Sequence, residues 1–505
     1  MGVTEESPQT EMGAYPLGVS RPPLDLSDLP EPEEVFGVSN IGFKETIKYA
    51  VGPSLIALGV SIGSGEWLLG PLVIGAGGFK GLGIVVLVSI LFQTFYNREI
   101  ARFVMATGEV PVVGFGRVPP GAAFWVPISL LLFYAAFILG GWAAAAGQGL
   151  NALFTGETAD PTSTGARLMA IALIVVIVVL TMSARKISRS LEIANWVIVT
   201  TILITLLVID VLLVPASKWI EGITGLITPA LPPEGTDATL LGGLFGFAAM
   251  STGLNWYMMG HYRDKGYGMG HRVGFIAGLR GESQEVHSVG VTFRNDDKNT
   301  ALWLRWKRFL SIDMWGVFFV GALFGILLPT LLVSHLADET GVKPTEETIP
   351  TYAAEALRDL YGSGMFVIAL LVGVMILFST QLGIFEALVR NFVDAATAMS
   401  PKLRERIHGD PRLFYFPYMI FLAVVISVII FQAVPGTLIL ISANMSNLGG
   451  MIFPFVLMYL NGKLPPAARP PAYTNAVLVI FALLCSFFFI NFVFDTFFGG
   501  PLVAF

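Results

Sequence analysis

Two stretches decide the fold: Ser61-Ile62-Gly63-Ser64-Gly65-Glu66-Trp67 and Met250-Ser251-Thr252-Gly253-Leu254-Asn255-Trp256. Each lies in an apolar run long enough to cross a bilayer, which takes about 20 residues. In each, a small hydroxyl residue precedes glycine, a polar side chain follows, and tryptophan closes the motif. The runs also begin alike, with Gly52-Pro53 ahead of the first and Gly242-Gly243 ahead of the second. A continuous lipid-facing helix gains nothing from glycines, serines and a glutamate at its centre. Unwound backbone survives in hydrocarbon only where it faces a cavity or a ligand, because nothing else pairs its polar groups. Interruptions in the first and sixth of ten core helices point to a five-plus-five inverted repeat with its binding site at the midplane.

Composition agrees. Of 505 residues, 54% are apolar and only 13% charged, about half the ~25% usual in soluble chains. That is too little charge to coat several water-facing domains, so the chain is an all-α polytopic membrane protein with the lipid bilayer as its main partner. One cysteine, Cys485, excludes a disulfide framework and any cysteine-based zinc or iron–sulfur site. The five histidines fall in or beside polar segments and form no cluster in the sequence. A net charge of −6 gives no reason to expect nucleic acid, and no motif calls for a cofactor.

Eleven spans are expected, near 49–75, 82–106, 122–152, 166–183, 190–214, 238–260, 309–335, 363–388, 412–434, 436–461 and 473–496, the third concealing a break at Gly140-Gly141. Residues 1–44 read as a disordered acidic cytoplasmic tail, since the first 40 hold eight acidic residues and one basic, Arg21. The transporter domain is 45–505, with repeat one at 45–215, repeat two at 238–461 and an added helix at 473–496. A cytoplasmic insertion fills 261–307, where 288–293 suggests a small hairpin; an acidic external loop at 336–350 reads as solvated. Counting Lys and Arg over this layout leaves only Lys80, Arg167, Lys218, Lys343 and Arg358 outside, out of thirty. The positive-inside rule then puts the N-terminus in the cytoplasm and the C-terminus outside.

Candidate substrate-binding residues follow from the breaks. Carbonyls ending the first half-helix, near Ser61 and Ile62, present negative charge, and amides at Gly63, Ser64 and Gly65 present positive charge. Ser64 and Thr252 are suited to cap the second halves. Glu66 is the most informative residue, because a carboxylate at membrane depth costs about 2.5 kcal/mol or more and such groups mark ion or proton paths. Met250, Ser251 and Asn255 complete the second break. Gln381 with Ser379-Thr380 in span eight, and Asn444 and Asn447 in span ten, are further polar candidates. Arg98, Glu99 and Arg102 at one end of span two, with Glu386 and Arg390 in span eight, suit a gate-like ion-pair network, with Glu66 as the group on a proton path. Asp210 and Asp313 read as interfacial.

At these residues the chain resembles the Nramp family of proton-coupled divalent-metal transporters, which have the LeuT-type fold. In that family a Gly-Pro is followed in the first helix by Asp-Pro-Gly-Asn-Trp; here Gly63, Ser64, Gly65, Glu66 and Trp67 stand at those positions. Ala101-Arg102 and Thr107-Gly108 look like the family's second helix. Met250 stands where the sixth helix offers Met-Pro-His, with Ser251 and Thr252 at the other two positions, and Asn444, Asn447 and Pro454-Phe455 resemble the tenth. The resemblance spans about 45–460 and implies metal ligands at these breaks, of which Glu66 and Met250 are the ones kept in altered form. The family's Asp is absent, and no histidine stands at its relay position. One carboxylate with hydroxyl and carbonyl oxygens is chemistry for a hard cation, and it can equally hold a small organic solute.

The expected function is therefore secondary transport of a divalent metal cation across the plasma membrane, with or without coupled protons. The alternatives are transport of a small organic solute and a non-transporting member of the same fold. Gly59-Val60-Ser61-Ile62-Gly63 matches a hydrolase-like Gly-x-Ser-x-Gly, but no strand context or nearby histidine makes that serine a nucleophile, so no enzyme is expected.

Overall fold

A computed structural model describes residues 24–505 except 51–52, 64, 76, 159, 184–186, 274–289, 409 and 504. Residues 1–23 of the expected tail, Ser64, and Ser288-Val289 of the expected hairpin thus lie outside the described residues. Nine helices among the described residues are long and apolar enough to cross a membrane. The first and sixth spans do not count among them, because each is in two pieces. Pro53–Ser61 is followed by Gly65–Leu69 and Pro71–Gly75, and Ala238–Phe247 is followed by Leu254–Asp264. With these two, the described residues hold eleven candidate spans of an all-α, multi-pass membrane protein.

The second piece of span one is π-wound on both sides of Gly70, a rare geometry found mostly at functional sites. Pro71, which has no N–H to give, sits where the two stretches meet. Span three does break, into Ala122–Phe137 and Gly141–Thr155, with Gly140 at φ 70°. The seventh, eighth and tenth spans are 61% buried over their central windows, whereas the fourth, fifth and ninth are 28% buried. The former build the core and the latter face lipid.

Several boundaries differ from expectation. The seventh span is one long helical run, Asp297–Thr340, that takes in the end of the expected insertion. Its early turns bury Leu302, Trp303, Trp306 and Phe309 on one face, an amphipathic pattern that the charges at Lys298, Arg305, Lys307 and Arg308 obscured. The helix also runs through the start of the expected 336–350 loop. Two amphipathic helices that do not cross, Ala216–Ile227 and Ile349–Tyr361, lie in connections.

Residues 24–44 are not a disordered tail. Leu24–Ser27 pairs in parallel with Val291–Phe293. Pro32–Phe36 follows as a short helix, and Phe36 sits among Tyr49, Tyr267, Trp306 and Phe309 at ring separations of 4.7–5.6 Å. The Trp306 indole donates to the Pro30 carbonyl at 2.9 Å, and Glu33 pairs with Arg305. Apolar and aromatic residues scattered among the acidic ones supply this anchoring. At the opposite end of the bundle the Phe505 carbonyl accepts the Gly235 N–H at 2.7 Å.

Candidate functional site

The two interruptions touch. Gly65 is obligatory there, because a Cβ would run into the Phe247 carbonyl, and only glycine lets backbones approach so closely. Across this contact Glu66 joins both breaks. Its Oε1 accepts the Ala249 N–H at 3.0 Å and the Ser61 hydroxyl at 3.2 Å, and its Oε2 accepts the Gly63 N–H at 3.1 Å. The side chain is fully buried. Ala249 adopts φ 76°, a left-handed conformation uncommon for a non-glycine residue, which turns its N–H toward this carboxyl. A carboxylate has about four lone-pair sites, and besides these three donors its own backbone N–H acts on it.

Beside this joint is a cavity of about 20 Å³, enough for roughly one water. Val60, Ser61, Met250, Ser251, Leu254, Thr380 and Ile384 line it together with the rings of Phe137, Trp142 and Phe247. The three rings stand 5.7–6.1 Å apart, and the Trp142 indole N–H is buried and without a partner among the described residues. The Thr380 hydroxyl donates to the Ile62 carbonyl at 3.4 Å, and a Cβ on Gly63 would collide with Thr380. Span eight is thereby held against the first break.

Of the residues singled out in the sequence, Ser61, Glu66, Met250 and Ser251 gather here, with Gly63 and Gly65 shaping the joint. The others have structural partners elsewhere. Thr252 packs on Gly449 and Gly450 of span ten. It does not cap the second half of span six; Gly253 holds that position at φ 107°, and the Asn255 side-chain oxygen Oδ1 accepts its N–H at 3.1 Å. Positive φ at the cap favours glycine over threonine. Gln381 accepts the Ala143 N–H at 3.1 Å, just past the break in span three. Asn444 donates to Thr239 and Asn447 to Gly242, at 3.1 and 2.9 Å, tying span ten to span six. Phe137, Trp142 and Phe247 were missed, since an aromatic in an apolar run carries no signal of its own.

The expected gate network is two separate clusters. Glu99 binds Arg102 at 2.7 Å and Arg98 at 3.1 Å, while Arg102 donates to the Ala468 carbonyl at 3.0 Å. That cluster fixes span two to the connection between spans ten and eleven. Arg390 instead binds Asp264 at 2.6 Å, with Glu386 at 3.9 Å and Asp394 at 3.8 Å, and Arg263 reaches Asp394 at 3.4 Å. This one joins the second half of span six to span eight, with His261 buried beside it. The 386-390-394 spacing of alternating charge was the available signal. Asp210 and Asp313, expected near span ends, are both fully buried within the protein.

No family model matches the sequence, and no curated protein matches it. Solved structures do. A point mutant of the Eremococcus coleocola manganese transporter matches with TM-score 0.56 at 16% identity, over 96% of this chain and 92% of that one. The same transporter in complex with an aromatic bis-isothiourea substituted compound gives 0.54 at 15% identity, over 95% and 93%. MhsT in complex with L-phenylalanine gives 0.54 at 15% identity, over 88% and 98%. The fold is therefore the LeuT-type arrangement that the two interruptions indicated.

Proposed function

We propose that this chain is a secondary active transporter that carries a divalent metal cation across the plasma membrane by alternating access, with its N-terminus in the cytoplasm and its C-terminus outside. The reading is carried by Glu66. It is a fully buried carboxylate where two interrupted helices meet, next to a cavity with hydroxyls at Ser61, Ser251 and Thr380 and the Met250 thioether. A cation entering from the cavity would displace the Ser61 hydroxyl from the carboxylate, and oxygen ligands of this kind suit Mg or Mn. Rocking of one helical bundle against the other would open the cavity to each face in turn. The likeness to a manganese transporter supports a metal, and the odd number of spans and the Lys/Arg asymmetry support the orientation.

A specific observation favours a second reading. The Phe137, Trp142 and Phe247 rings and the unpartnered Trp142 N–H form a wall better matched to an organic solute than to a hydrated metal. Uptake of Mn or Mg into proteoliposomes, compared between wild type and Glu66→Ala, separates the two. Glu66-dependent metal uptake supports the first reading. Its absence, with uptake of small organic cations or amino acids instead, supports the second.

A further inference from the structure

Three helices meet around one carboxyl group that the cavity does not use. Asp313 stands at the head of the π-wound stretch Ile312–Phe319 of span seven. Its Oδ2 accepts the Tyr262 hydroxyl at 2.5 Å and the Ser54 N–H at 3.2 Å. Tyr262 belongs to the second half of span six, and Ser54 to the first turn of the nine-residue half-helix Pro53–Ser61. The Ser54 hydroxyl lies against the same carboxyl. Neither that hydroxyl nor Asp313 Oδ1 has a hydrogen-bond partner among the described residues, and all three side chains are fully buried.

A charged carboxylate with one bare oxygen in a site closed to water is unfavourable. A proton on Oδ1 removes the charge that the Tyr262 hydroxyl, the Ser54 groups and Lys265 favour. A metal ion suits the place less well. Hard cations gather about six or more oxygens, only two are free here, and two N–H or O–H donors already point at the carboxyl. The other charges nearby are on the packed elements. Lys265, just past the end of span six, acts on Asp313 through space, and Tyr267 packs edge-on to Tyr262 at 5.6 Å. The helix Phe43–Ala50 carries Lys44, Glu45, Lys48 and Tyr49, the early turns of span seven carry Arg305, Lys307 and Arg308, and span two carries Arg98 and Glu99.

We propose that Asp313, with Tyr262 and Ser54, is a proton-binding site that controls release of the first half-helix of span one. Ionised, Asp313 grips the Ser54 amide and the Tyr262 hydroxyl through charge-assisted hydrogen bonds, which are roughly twice as strong as neutral ones. A proton from water on the adjoining face adds to Oδ1, weakens both grips, and leaves Pro53–Ser61 free to tilt away; loss of that proton to water resets the latch. The proposal rests on the alternating-access reading for its place in a cycle, but its readout needs no cargo.

The test is thiol labelling of Ala57→Cys in purified full-length protein, with the buried native Cys485 as a silent background. Ala57 is fully buried on the half-helix in question. Labelling should rise about tenfold from about pH 9 to about pH 5, a range that brackets perturbed carboxyl groups. Asp313→Asn should label fast at every pH, and Asp313→Glu should restore the pH dependence with a moved midpoint. Unchanged pH dependence in Asp313→Asn overturns the proposal, as does labelling that follows sodium at fixed pH. Should Asp313→Asn fail to fold, infrared difference spectra of wild type against Asp313→Glu decide. A protonated-carboxyl band that shifts between them supports the site, and identical bands overturn it. Failure of metal uptake leaves this measurement unaffected.

Discussion

Replacing Glu66 by alanine should cost more than the loss of one charge, because three donors lose their acceptor together. The Ser61 hydroxyl can rotate to a helix carbonyl. The Ala249 and Gly63 amides, at 3.0 and 3.1 Å from the carboxyl, are fixed by the broken backbone and cannot. A buried unpaired N–H costs about 1–3 kcal/mol, which puts Glu66→Ala at about 2–6 kcal/mol. Relief from burying a lone carboxyl works against this and favours the lower half of the range. Glu66→Gln keeps one acceptor oxygen but turns an NH₂ toward one of the amides, so about 1–3 kcal/mol is expected. Thermal unfolding in detergent, run beside Mn binding by calorimetry, gives both readings on one preparation. The expected stability order is wild type, then Gln, then Ala, with metal binding lost in both variants. An alanine variant as stable as wild type would show that the amides have other partners and that Glu66 is not the joint between the breaks.

Three further outcomes follow from the same geometry. Arg390→Met should destabilise the protein at the lower end of about 3–5 kcal/mol, since it takes the nearest cation, at 2.6 Å, from the buried Asp264 carboxylate while Arg263 stays at 3.3 Å; denaturation of the purified variant reads it, and adding Asp264→Asn should recover part of the loss. Gly65→Ala should cost about 1–3 kcal/mol from overpacking against the Phe247 carbonyl and abolish uptake in proteoliposomes even where expression survives. Phe36→Ala should cost about 2 kcal/mol of buried aromatic contact and make the first residues more sensitive to limited proteolysis, leaving the membrane-embedded core intact.

Much of this architecture was legible because the bilayer imposes a period of its own. A continuous apolar run reads as a span, and a polar cluster inside one has few explanations, so the breaks at 62–64 and 248–253 could be found from Ser61 to Trp67 and from Met250 to Trp256. Glu66 stood out for the same reason. What the sequence hid was tertiary pairing. Asn444, Asn447 and Gln381 look like ligands in a one-dimensional reading, yet the two asparagines bond carbonyls within the first half of span six and Gln381 accepts an amide freed by the break in span three, which is the other use of a polar side chain in a membrane. The split of the charged residues into two clusters depends on which helices are adjacent, and local spacing does not carry that. Residues 24–36 misled for the opposite reason: Leu29, Val35 and Phe36 anchor a segment whose charge and proline content resemble a solvated chain.

The most direct test of the account is the accessibility of Ser251→Cys on the cavity wall, probed from each face of oriented proteoliposomes with an impermeant thiol reagent. Alternating access predicts reaction from either face, with conditions that raise labelling on one side lowering it on the other. Reaction from both faces at once, or from neither under any gradient, would contradict a carrier built around two interrupted helices.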